Sequence, residues 1–135
     1  MSAVDAGKIW SLNYRVLLSV ISCVEADITA LGLDSKELFL LAEVDDHPYP
    51  AELAATLSMP KATVTVYLKR LEAAGFVTRE IDPADLRRHR LRLTSDGRRA
   101  AGAGLSLLSD EFDKRLGRLT VAQQKTLNSL LEKIL

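Results

Sequence analysis

The order of apolar and polar residues divides the chain into six stretches of helical period and one stretch of period two. From about Asp5 to Leu31 the apolar positions Ile9, Trp10, Leu12, Val16, Leu17, Leu18, Val20, Ile21, Val24 and Ile28 fall on several sides of a helix, more apolar surface than a small chain covers by itself. Part of that helix is expected to be a subunit interface. Asp34 and Glu37 stand three apart as a capping box for a helix through Leu38, Leu40, Leu41 and Val44, which ends at residues 45–48. Residues 50–57 form a short helix with Pro50 at its first position, where a missing N–H costs nothing. Ser58 and Met59 turn the chain, and Pro60 restarts a helix that runs to Glu72 and stops at Gly75. Two helices joined by so short a turn make a helix-turn-helix.

The second of these helices has two faces. Val64, Leu68 and Leu71 can be buried, whereas Ala62, Thr65, Val66 and Lys69 share another side, with Lys61 at the helix start. Small and hydroxylated side chains flanked by lysines suit a DNA major groove, where Thr and Lys reach base edges and Ala or Val touch a thymine methyl. Lys61, Ala62, Thr63, Thr65, Val66 and Lys69 are the candidate groove contacts. After Gly75 the period becomes two: residues 76–81 are strand formers, residues 82–85 turn, and residues 87–93 set Arg90 and Arg92 against Leu91 and Leu93. The expected hairpin has one apolar and one cationic face. Arg87, Arg88, Arg90 and Arg92 are denser than an edge strand protected by charge requires, and they read as a wing that meets phosphates or the minor groove.

Thr94 caps a further helix that runs to about Leu116 through Gly102 and Gly104. Two glycines cost a helix interior roughly 2 kcal/mol relative to alanine, so either the helix bends there or another helix packs very close. Thr120 and Gln123 form a capping box for the last helix, whose Leu127, Leu130, Leu131, Ile134 and Leu135 carry an apolar face to the final residue. That face also asks for a partner.

In these residues the chain resembles the MarR family of bacterial transcription regulators. The matching pieces are Glu52-Leu53-Ala54, Thr63-Val64-Thr65, Arg70-Leu71-Glu72, Gly75-Phe76-Val77, Asp82-Pro83-Ala84-Asp85-Leu86-Arg87 and Leu93-Thr94-Ser95-Asp96-Gly97, in that order and spacing. The resemblance covers nearly the whole chain. It implies a mainly α chain with a small β-hairpin (α+β), a winged helix-turn-helix with N- and C-terminal dimerisation helices. The whole of 1–135 is then a single domain, with a DNA-binding lobe at 34–94 and dimerisation helices at 5–31 and 95–135. It further implies a homodimer on double-stranded DNA, with Thr65 and its neighbours in the major groove, Arg87 at the wing tip in the minor groove, and Asp85 fixing the wing. The chain departs from the family's pattern at Pro60, where a Ser commonly caps the recognition helix, at Ala62 and Val66, where Ser and Arg are frequent, and at Leu86, commonly basic.

The formal net charge of zero hides an asymmetry. Residues 61–99 hold ten Lys or Arg against five acids, residues 1–60 three against nine, and residues 100–135 five against four. Positive charge is concentrated on the helix-turn-helix and wing, as steering to phosphate requires. The length of 135 residues is one domain's worth, enough for a real core. A single cysteine, Cys23, forms no intramolecular disulfide, there is no signal-peptide pattern, and the longest apolar run, residues 16–24, is too short for a bilayer. A cytoplasmic protein without membrane contact is expected.

Cys23 has no cation among its sequence neighbours and reads as a packed thiol rather than a redox sensor. Asp45, Asp46 and His47 read as a polar helix end rather than a metal site. Trp10 and Tyr14, one turn apart, are candidates to line a pocket for a small aromatic or phenolic effector, against the plainer reading of packing. Nothing resembles a nucleophile with its base or a phosphate-binding glycine loop, and no cofactor is implied. The prediction is therefore not an enzyme but a sequence-specific DNA-binding regulator, a ligand-responsive repressor acting as a homodimer on a pseudopalindromic operator. The rival is a winged helix used as a protein-interaction module, an antirepressor without DNA affinity.

Overall fold

The computed structural model describes residues 3–135 as α1 (Ala6–Ala30), α2 (Ser35–Glu43), α3 (Pro50–Thr56), α4 (Lys61–Ala73), β1 (Val77–Ile81), β2 (His89–Leu93), α5 (Ser95–Leu116) and α6 (Val121–Ile134). The chain is mainly α with one antiparallel hairpin. Local chemistry sets the helix ends. Asp34 Oδ1 accepts from the Glu37 N–H at 2.7 Å while Glu37 Oε1 accepts from the Asp34 N–H at 3.2 Å, and Thr120 with Gln123 repeats this capping box at α6. Helices α1, α3 and α4 each end on a left-handed residue, Gly32 (φ 86°), Ser58 (φ 51°) and Gly75 (φ 78°). The next N–H then returns to a carbonyl five residues back: Leu33 to Ile28, Met59 to Ala54, Phe76 to Leu71. The turn between α3 and α4 thus runs through a serine in a conformation that glycine adopts without strain.

Residues 25–107 form one compact unit. Its core is a layer of fully buried side chains, among them Ile28, Leu38, Leu40, Leu41, Leu53, Leu68, Leu71 and Leu91. Each large aliphatic side chain buried this way contributes roughly 1.5–3 kcal/mol. Helix α4 packs on α2 and α3, and it buries Val64, Leu68 and Leu71, the stripe the helical period marks out. Helix α5 is unbroken through its small residues. Leu38 lies against Gly104, where a Cβ would stand 2.5 Å from Leu38 Cδ1, whereas a Cβ on Gly102 would meet nothing within 4 Å. Close packing, at one of the two glycines, is the answer to the question the sequence leaves open.

The hairpin pairs Val77 with Leu93, Arg79 with Leu91 and Ile81 with His89 on one face, and Thr78 with Arg92 and Glu80 with Arg90 on the other. Its faces are more mixed than the alternation suggests: Arg79 shares the side of buried Leu91 and pairs with Glu72, and Glu80 sits among the arginines. Arg87 and Arg88 precede β2 rather than opening it. Asp85 is the cause: its Oδ1 accepts from the Arg87 N–H at 3.0 Å and its carbonyl from the Arg88 N–H at 3.0 Å, so the loop extends to 88. At the hairpin base the Thr94 hydroxyl donates to the Gly75 carbonyl at 2.6 Å and accepts from the Gly97 N–H at 3.0 Å. On the outer edge of β2 the Leu91 N–H donates to the Pro48 carbonyl at 2.7 Å.

The other unit comprises the residues up to Val24 with Leu108–Leu135. It is poorly covered. Val20 and Val24 are buried, α6 buries no residue, and Trp10 and Ile134 are 70% and 77% exposed. An open groove of about 400 Å³ is lined by Ile9, Leu12, Val16, Phe112, Leu116, Leu119, Leu127 and Leu131 with the polar Asn13, Arg115 and Arg118. Trp10 and Tyr14 stack, with ring centroids 6.1 Å apart and planes at 12°, and neither lines that groove. Cys23 corrects the reading as a packed thiol: it is exposed, and the Arg115 guanidinium, 92 residues on, approaches its sulfur at 3.5 Å. Among the described residues no single helix is long and apolar enough to cross a membrane.

Candidate nucleic-acid interface

With one stripe of α4 buried, the rest of the helix is open. Lys61, Ala62, Thr65, Val66 and Lys69 are exposed, and Thr63 is half-buried beside Val64. Lys61 and Lys69 form no ion pair among the described residues. The Thr65 hydroxyl donates to the Lys61 carbonyl at 3.0 Å, one turn back. Its proton is therefore used within the helix, and its lone pairs remain to accept from a donor such as an adenine or cytosine amino group. Pro60 is the N-cap residue and offers no side-chain acceptor to the first-turn N–H groups of α4. Such uncapped amides suit a phosphate oxygen.

The wing loop is organised by an acid that the sequence marks only as a turn residue. Asp82 is the one buried charged residue among those described. Its carboxylate accepts from the Tyr49 hydroxyl and, at 2.8 Å, from the Ala84 N–H, while its own N–H donates to the Arg88 carbonyl at 3.0 Å. The Tyr49 hydrogen bond, seconded by the Ala84 N–H, holds the Asp82 carboxyl below its ordinary range. Reciprocally, the bond to Asp82 pushes the Tyr49 phenol up. The Arg88 guanidinium lies over the Tyr49 ring, 3.6 Å from its centroid.

The wing arginines accordingly differ. Arg87 is 94% exposed and touches Asp85 at 3.6 Å, Arg90 is exposed with no ion pair among the described residues, Arg92 pairs with Glu80 at 3.2 Å, and Arg88 is seated on Tyr49. Leu86 is 77% exposed at the tip. Asp45 pairs with Arg98 at 2.6 Å, and His47 lies 3.9 Å from Glu43. No periodicity signals the Tyr49–Asp82 pair, because its members lie in separate loops 33 residues apart.

Residues 31–88 match the sequence model of the MarR family. The transcriptional regulator HosA of Escherichia coli O111:H- is 36% identical over 75 residues, 56% of this chain and 56% of its own, so the chain spans about half the length of that relative. The HTH-type transcriptional repressor Rv2887 of Mycobacterium tuberculosis is 30% identical over 136 residues, 99% of this chain and 98% of its own. The solved S. aureus MepR-DNA complex shares the fold, with a TM-score of 0.77 over 91% of each chain at 18% identity. On its likeness to a repressor over 99% of its length and on the match of its helix-turn-helix, first wing strand and wing loop, the chain belongs to the MarR family of transcriptional regulators.

Proposed function

We propose that this regulator is a cytoplasmic, homodimeric repressor whose α4 helices enter successive major grooves of double-stranded DNA, with the wings alongside. The observation that carries this is the division of α4: Val64, Leu68 and Leu71 are buried while Lys61, Thr65, Val66 and Lys69 are exposed. Thr65, Val66 and Lys69, with Lys61, Ala62 and Thr63 at the helix start, contact the groove, and Arg87 and Arg90 reach phosphates or the minor groove. Asp85 orders the wing tip. A second copy covers the apolar surface of α1 and of α6, a helix with no buried residue of its own, and sets half-sites of a pseudopalindrome about one helical turn, roughly 34 Å, apart. An aromatic or phenolic effector lies against the exposed rings of Trp10 and Tyr14 and lowers operator affinity by binding one dimer conformation more tightly than the other. Trp10 is the only tryptophan, so its fluorescence reports such a ligand directly.

The test is binding of the purified protein to fragments of its own upstream region and to random DNA across a salt series, with the oligomeric state from sedimentation. Preference for the upstream fragment and a steep fall of affinity with salt are expected. An intact dimer that binds no DNA at low salt would replace this reading with the interaction module.

A further inference from the structure

We propose that Tyr49 is the positioning residue of the wing: its hydroxyl holds one end of the 82–88 loop through Asp82, its ring holds the other through Arg88, and Arg88 acts as a staple rather than a phosphate contact. This deepens the DNA-binding reading above and rests on it.

The loop has little to hold it in place by itself. Pro83, Ala84, Leu86 and Arg87 are exposed, and the bonds that Asp85 makes to residues 82, 87 and 88 stay within the loop. Tyr49 ties both ends to the start of α3, and its neighbour Pro48 takes the Leu91 N–H on the outer edge of β2. Tyr49 occupies the N-cap position of α3, where Ser, Thr, Asp or Asn would accept from the first-turn amides, yet it makes no side-chain cap bond. Its side chain is given to the wing instead. Asp82, buried and acceptor-only when ionised, needs donors; the phenol supplies one and the Ala84 N–H another. Arg88 has its guanidinium laid on the ring, whereas its neighbour Arg87 is 94% exposed, with Asp85 beside it at 3.6 Å. Two adjacent arginines of the same charge thus have different work: Arg87 meets DNA, and Arg88 fixes where Arg87 stands.

The experiment compares Tyr49→Phe, Arg88→Ala, Arg87→Ala and the Tyr49→Phe/Arg87→Ala pair on operator and random DNA across a salt series. Tyr49→Phe keeps the ring and removes only the bond to Asp82; Arg88 is exposed, so its replacement leaves the core intact. Tyr49→Phe is expected to weaken operator binding about tenfold, the scale of one hydrogen bond to a charged group, with helix content and dimer unchanged. In the Arg87→Ala background the further loss should be less than about threefold, because the two act as a unit. Arg88→Ala should lower affinity without changing the salt slope, whereas Arg87→Ala should reduce that slope by about 1. Parental affinity in Tyr49→Phe, losses that multiply in the double variant, or an Arg88→Ala slope as flat as that of Arg87→Ala would overturn the assignment. Hydrogen exchange gives a readout without DNA: the Ala84 and Arg88 amides should exchange faster in Tyr49→Phe, and unchanged exchange refutes the clamp. A parent that binds no DNA would remove the DNA-binding reading alone, leaving the clamp to be judged by exchange.

Discussion

Leu38 of α2 and Gly104 of α5 meet so closely that a methyl group on residue 104 would stand 2.5 Å from Leu38 Cδ1. Leu38 is fully buried and has nowhere to retreat. Gly104→Ala should therefore destabilise the protein by about 1–3 kcal/mol, the cost of forcing extra volume into a filled core. Gly102, two residues earlier, faces open space; there alanine should stabilise by about 1 kcal/mol through helix propensity. Urea unfolding of the two variants decides the matter, and a shift of the same sign in both would contradict the close contact.

Ser58 holds φ at 51° between α3 and α4, a position where its Cβ is strained and glycine's absence of one is not. Ser58→Gly should relieve that strain and raise stability by about 1 kcal/mol, offset in part by the greater freedom of glycine in the unfolded chain. The melting temperature is the measurement. Because the serine is exposed in the turn and lies outside α4, operator affinity should follow the parent.

Thr65 commits its hydroxyl proton to the Lys61 carbonyl, so what it offers a groove is an acceptor and a methyl group. Thr65→Val keeps the shape and the methyl and removes the acceptor. On a panel of operators changed one base pair at a time, the variant should lose about 1–3 kcal/mol of discrimination at one position while its salt slope matches the parent's. Uniform weakening over the whole panel would mean that Thr65 does not read a base.

What was legible before the structure was local. The stripe of Val64, Leu68 and Leu71 follows from the helical period alone, and the capping boxes at Asp34 and Thr120 span three residues each. The wing was legible as a hairpin but not in its extent, because alternation around Arg87 and Arg88 looks like strand until the side chain of Asp85 takes the Arg87 N–H and turns the backbone. What was not legible depends on which elements meet. Arg115 reaches Cys23 from another helix, Leu38 finds Gly104, and Tyr49 finds Asp82. Asp82 and Asp85 look alike in the sequence; only the packing of the wing against the start of α3 turns the first inward and leaves the second at the surface.

The Tyr49–Asp82 bond also sets a pH window. Asp82 has its folded-state pKa lowered from the ordinary 3.8, chiefly by the Tyr49 hydroxyl, so its contribution to stability is complete above the unfolded value and is lost as pH falls through the lower folded one. Tyr49 has its folded-state pKa raised from 10.0, chiefly by the bond to Asp82; its contribution is complete below 10.0 and is lost as pH rises through the higher folded value. The stability difference between parent and Tyr49→Phe should therefore be level from about pH 5 to 9, shrink below roughly pH 4 and shrink again above roughly pH 10. Urea titrations of both proteins across that range measure it without DNA. A difference that kept its full size below roughly pH 4 and above roughly pH 10 would mean that the Tyr49–Asp82 bond does not carry it.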